Sequence, residues 1–225
     1  MQQSQVQGRQ TNFLFGIVIA GTVLTVLLEV IVQLLPPHYN AISQPESNLA
    51  IGPYGFLMNI NFALRGIIYF IFLAALMRAI PKKGLSRSGL ILLGVSAVGK
   101  LIIAFAETDL TSPPHTMHGI IHTLAALISF FCGGLGTLLV SRSLRHVPNV
   151  RPSQRFLVGL GTVTLIWSVV VIVTVVASAQ IGVWGLLERI FTGLFSLWIL
   201  VLAFGLWNYS SVDVMPFPYS SGEYR

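Results

Sequence analysis

Six apolar runs, each near the length a helix needs to cross a bilayer, constrain this chain more than any motif does. A spanning helix takes about 20 predominantly apolar residues. The runs are Phe13 to Leu35, Tyr54 to Met77, Ser88 to Ala106, Met117 to Val140, Phe156 to Ser178 and Val183 to Trp207. Proline and glycine punctuate the joints, as at Pro36-Pro37, Gly52-Pro53 and Pro113-Pro114, where the chain turns. In lipid every backbone polar group must be satisfied within the protein. The runs therefore predict an all-α, polytopic membrane protein, with a six-transmembrane-helix bundle over residues 13–207. A polar segment 1–12 precedes it and a polar tail 208–225 follows. The run from Phe13 is too long for a signal-peptide core and reads as an uncleaved first helix.

Composition and charge placement agree with this class. Hydrophobic residues make up 54% and charged residues 9% of the chain, against about 25% charged in soluble domains. The net charge of +6 does not point to nucleic acid, because the basic residues sit in short loops. Arg78, Lys82, Lys83 and Arg87 follow the second run, and Arg142, Arg145, Arg151 and Arg155 follow the fourth. The loops after the first and third runs carry no Lys or Arg and hold Glu46, Glu107 and Asp109. The positive-inside rule then predicts that both termini are cytoplasmic, in a multi-pass protein of a bacterial-type plasma membrane. The single cysteine, Cys132, permits no internal disulfide.

Against this background the ionisable residues within the runs stand out, since a charge at membrane depth is costly and usually faces the protein interior. Arg65, Lys100 and Arg189 lie in the runs, as do Glu29 and Glu188; Glu107 and Asp109 follow the third run, and His115, His118 and His122 lie around the start of the fourth. With the predicted orientation all belong to the outer half. Helical spacing places Thr22, Thr25, Glu29 and Gln33 on one face, and Asn61, Arg65 and Tyr69 on another with Asn59 nearby. Ser129, Gly133 and Gly136 continue the His118–His122 stripe with small residues that suit close helix packing.

The expectation is an outward-open polar pocket that binds a small anionic ligand or a lipid headgroup. Its binding residues are Glu29, Asn59, Asn61, Arg65, Lys100, Glu107, Asp109, His118, His122, Glu188 and Arg189. Arg65 is expected to grip an anion with two prongs and Lys100 to add a point charge. His118 and His122 are expected to point inward. No metal is needed for this reading. The alternative is a metal-dependent intramembrane lipid hydrolase, with zinc on Asp109, His118 and His122. A third possibility is a structural or partner-binding membrane subunit, in which the charges only neutralise one another. The HExxH, Gly-x-Ser-x-Gly, Walker and Rossmann patterns are absent. The bilayer is the one certain partner, and oligomeric state is not legible.

Three stretches carry a family resemblance. They are Ile42-Ser43 with Gly52-Pro53-Tyr54-Gly55-Phe56-Leu57-Met58-Asn59 to Phe62 and Gly66, then Phe105-Ala106-Glu107-Thr108-Asp109 with His118 and His122, and last Gly185-Leu186-Leu187-Glu188-Arg189 through Leu197-Trp198. Together they resemble the DUF 998 family of integral membrane proteins over nearly the whole chain. Ala106 and Leu110 stand where that family commonly has proline, and Glu188 stands where Gln is common. The resemblance implies a six-span fold and supplies no reaction.

The orientation has a direct test. Reporter fusions after Asn48 and after Leu85 should report opposite sides of the membrane, the first outside and the second inside. Equal reporting from both would overturn the six-span map.

Overall fold

The computed structural model describes residues 2–37, 39–110, 113–147, 150, 153–177 and 182–207. Arg151, Ser178 and the tail 208–225 lie outside the described residues. Among those described, six α-helices occur and no strand: α1 (Gln2–Gln33), α2 (Gly55–Ala79), α3 (Arg87–Phe105), α4 (Met117–Ser143), α5 (Gln154–Val176) and α6 (Trp184–Leu206). All six are long and apolar enough to cross a membrane.

Local chemistry sets the helix ends. α1 stops at Gln33, just before Pro36-Pro37, because proline disfavours helical geometry in the residue ahead of it. α3 is capped by the Ser86 hydroxyl, which accepts from the Gly89 N–H at 3.1 Å, and α4 by the Thr116 hydroxyl, which accepts from the Gly119 N–H at 3.0 Å. Such caps satisfy donors that have no intrahelical partner. Two boundaries depart from expectation by three residues or more. α1 begins at Gln2 rather than Phe13, since no proline breaks the polar stretch ahead of the apolar run, and α4 continues past Val140 to Ser143.

Each helix packs against its neighbours in sequence, and α1 against α6 closes the ring. The alternating crossings bring the start of α1 and the end of α6 to one end of the bundle, where Phe15, Trp198, Leu202 and Leu206 share a core. That half is filled by rings. Phe72 meets Trp198 edge-on at 5.7 Å, and Tyr69 meets Phe195 at 5.0 Å. The buried Trp198 indole donates to the Ser141 hydroxyl at 2.8 Å.

The tightest seam joins α3 to α4, and small residues make it. A Cβ at Gly99 would come 2.8 Å from the Ser129 Cβ, and one at Gly136 would come 2.9 Å from Leu93 Cγ. Between them the Ser96 and Ser129 hydroxyls are 3.1 Å apart, and Ser129 donates to the Ser96 carbonyl at 3.0 Å. The small-residue stripe expected on α4 is thus the contact face for α3. At the end away from the termini, the 34–54 connection turns inward. Its short 3-10 turn, Glu46–Ala50, buries Glu46, Leu49 and Ala50.

The seam predicts a sharp size limit. Gly99→Leu should destabilise the detergent-solubilised protein by about 1–3 kcal/mol, as overpacking does. Gly159→Ala, where a Cβ meets nothing within 4 Å, should leave the melting midpoint unchanged or raise it. Equal midpoints for Gly99→Leu and the unmodified protein would show that the seam has room.

Candidate functional site

Arg65 projects into the bundle from α2, roughly 15 Å along the helix from its start at 1.5 Å per residue. It is 4% exposed, and two carboxylates share it. Its Nη2 contacts Glu29 Oε2 on α1 at 2.5 Å, and its Nη1 contacts Glu46 Oε2 on the first connection at 3.0 Å. A guanidinium at this depth is tolerated when paired and hydrogen-bonded. The second oxygen of Glu46 accepts from the Thr192 hydroxyl at 2.6 Å, and the Glu46 N–H donates to Glu188 Oε2 at 2.7 Å. The network thus ties α1, α2 and α6 to the connection between the first two helices.

Arg189 fastens that connection. Its guanidinium donates to the carbonyls of Ala41 at 3.0 Å, Gln44 at 3.3 Å and Gly185 at 3.0 Å, and to Tyr39 Oη at 2.8 Å. It also donates to Gln33 Oε1 at 3.3 Å and lies 3.7 Å from Glu29 Oε1. Tyr39 Oη in turn donates to the Gln44 and Pro45 carbonyls. Gly185 is required here, because a Cβ would collide with the Gln44 and Ala41 carbonyl oxygens. Burial pushes the Tyr39 phenol above its ordinary range despite the adjacent Arg189. Burial also opposes the charge on Glu46, but Arg65, Lys100 and the Thr192 hydroxyl outweigh it and hold that carboxyl below the usual range.

Beside this network lies a cavity of about 450 Å³. Glu46, Lys100, His122 and Glu188 are among its polar lining, and Phe62 and Phe130 lie beside the Lys100 ammonium. Lys100 is 3% exposed. Its ammonium sits 5.0 Å from the Phe130 ring centroid and 5.9 Å from that of Phe62. Among the described residues no acid lies within ion-pair distance of it. His122 is buried, with Nδ1 2.7 Å from the Ala106 carbonyl. A carbonyl only accepts, so Nδ1 carries the proton and Nε2 is the basic nitrogen.

The sequence-predicted residues divide into three groups. Glu29, Arg65, Glu188 and Arg189 meet in the ion network, while Lys100 and His122 line the cavity. Asn61 is fully buried, its amide nitrogen 3.7 Å from Met58 Sδ and its oxygen without a partner. Asn59 is half-buried and Glu107 exposed. Asp109 lines the cavity mouth but is turned to α4, where it accepts from the His115 and Thr116 N–H groups and the Thr116 hydroxyl. Those bonds from Thr116 hold its carboxyl below the ordinary range.

Two expectations need correcting. His118 does not point inward with His122 but is exposed. His122 lies level with Ala106, where α3 has ended, so His118 stands one turn beyond the end of α3. Arg65 does not offer two free prongs to an anion, since Glu29 and Glu46 occupy both. Among the described residues no three His, Cys, Asp or Glu side chains gather as a metal-holding group.

Sequence reasoning left Glu46 out of the site. Its signal was weak but present: it is the only charged residue between Glu29 and Arg65. Tyr39 and Trp184 were also passed over; Trp184 lines the cavity with a buried indole N–H that has no acceptor among the described residues.

Glu46→Ala should cost about 3–5 kcal/mol, because removing one partner leaves the Arg65 charge under-compensated. The carboxyl is held below its ordinary range, so its contribution is present above that range and is lost as pH falls through the depressed value. Melting curves of both proteins from neutral to acid pH check this: the gap between them should close in acid.

No curated protein and no solved structure matches the chain. One family model does, over residues 19–205, and covers most of the six-helix bundle. The chain belongs to that family, described as "Protein of unknown function (DUF998)".

Proposed function

We propose that this multi-pass protein lies in a bacterial-type plasma membrane with both termini inside. On this reading its cavity opens to the outside and binds a small ligand or lipid headgroup by an anionic group seated on Lys100. The orientation is supported by the basic loops that follow α2 and α4, which lie at the end opposite the cavity.

The observation that carries the binding reading is the Lys100 ammonium. It is buried, faces the cavity and lies over two ring faces, with no acid among the described residues within ion-pair distance. Cation–π contact offsets part of its desolvation, but an uncompensated buried charge remains expensive. Arg65 and Arg189 are occupied by Glu29, Glu46 and carbonyl oxygens. Lys100 is therefore the cation left to receive an anion. Towards the termini the interior is filled by Phe191, Phe195 and Trp198, which favours binding over passage.

Lys100→Met separates this role from a structural one. It should raise the melting midpoint of the ligand-free protein, since it removes a buried charge without a partner. It should also abolish the stabilisation that inorganic phosphate gives the unmodified protein. A structural lysine would behave oppositely, with a lower midpoint on replacement. Stoichiometric zinc in the purified protein, lost in His122→Ala, would replace this reading with the hydrolase one.

A further inference from the structure

We propose that the ligand is a zwitterion with a primary amine, its anionic group on Lys100 and its ammonium on Glu188. This rests on the cavity reading above and names the class of molecule the cavity takes. Lys100 and Glu188 line the same cavity from α3 and α6. Glu188 accepts from the Glu46 N–H through Oε2, but no cation among the described residues pairs with it. Its other oxygen takes no hydrogen bond from them. Among the described residues the site therefore holds one cation and one anion without an ion-pair partner, and the two are not within ion-pair distance of each other.

Charge balance favours a zwitterion over a simple anion. The acids Glu29, Glu46 and Glu188 of this cluster match the bases Arg65, Lys100 and Arg189 in number. A simple anion would pair Lys100 but leave the cluster negative and Glu188 alone. A zwitterion pairs both and brings one negative charge fewer than the matching simple anion, which matters in a low-dielectric site. The amine must be primary or otherwise carry N–H groups, because a carboxylate recognises an ammonium by accepting its hydrogen bonds. A quaternary ammonium prefers an aromatic cage, whereas two of the lining rings stand at Lys100 and the Glu188 end offers the single ring of Trp184, one turn earlier on α6. The Trp184 indole N–H, without an acceptor among the described residues, lines the same cavity and offers a further donor to the ligand. At about 450 Å³ the space holds an aminoalkyl phosphate or a small amino acid.

Two sources carry this chemistry, a soluble zwitterion and an amino-phospholipid headgroup. The apolar lining of Ala126, Leu127, Phe130, Val175 and Val176, with Val176 69% exposed on the bundle surface, gives an acyl chain a route to the bilayer.

The test is titration calorimetry on the full chain in detergent with O-phosphoethanolamine, glycerol 3-phosphate, ethanolamine and phosphocholine. O-phosphoethanolamine should bind at least tenfold more tightly than each of the other three. Lys100→Gln should weaken it to the level of ethanolamine, and Glu188→Gln to the level of glycerol 3-phosphate. Glu188→Gln keeps an acceptor for the Glu46 N–H, and the probe series on the unmodified protein needs no variant. A parallel arm measures phosphatidylethanolamine binding by native mass spectrometry. Binding there that depends on Lys100 and Glu188 supports the proposal and assigns a lipid source; binding of the soluble probe assigns a soluble one. Equal affinity for glycerol 3-phosphate and O-phosphoethanolamine, lost in Lys100→Gln, overturns the zwitterion and leaves the anion pocket standing. No Lys100-dependent binding by any probe or lipid overturns both.

Discussion

The guanidinium of Arg65, held between Glu29 and Glu46, is the contact around which the upper half of the bundle is arranged. A permanent cation so far from water requires counter-charge, and one carboxylate leaves donors of the planar fork unused. α1 supplies the first acid directly. The second comes from a connection that folds into the bundle to deliver it. Once Glu46 is there, its backbone N–H and second oxygen need partners too, and Glu188 and Thr192 on α6 provide them. One buried charge thus recruits three helices and a loop, and the position of the cavity beside them follows.

The bundle is chemically two structures stacked end to end. Near the termini the centre is packed with aromatic rings around Trp198. At the other end it is polar and partly hollow. The α3–α4 seam runs along both and is fixed by backbone-close contacts at Gly99 and Gly136. Lys100 follows Gly99 directly, so the seam that holds the backbone also fixes the depth at which the ammonium emerges.

Much of this was legible in the sequence, and the rest was hidden for physical reasons. Apolar length gave the six helices, and helical spacing put Glu29 and Arg65 on facing surfaces. Spacing fails where the chain is not helical. Nothing periodic says that the 34–54 connection dips inward, so Glu46 reads as a loop acid that serves topology. Spacing also fails at helix ends. His118 and His122 share a face by arithmetic, but whether that face meets protein depends on where α3 stops. Asp109 was read as a pocket acid because it is a carboxylate near the site. Three donors of the 115–116 turn claim its oxygens first.

Arg189 holds the first connection largely through main-chain oxygens, those of Ala41 and Gln44. A clamp of that kind is indifferent to the side chains it grips and strict about chain length. The side chain at Ala41 is free to drift without loosening the hold, whereas that of Gln44 also accepts from the Asn40 N–H at 2.8 Å. A residue gained or lost between Tyr39 and Glu46 would instead slide every carbonyl past the guanidinium and lift the carboxylate away from Arg65. For the carbonyls in that grip, spacing counts and composition does not.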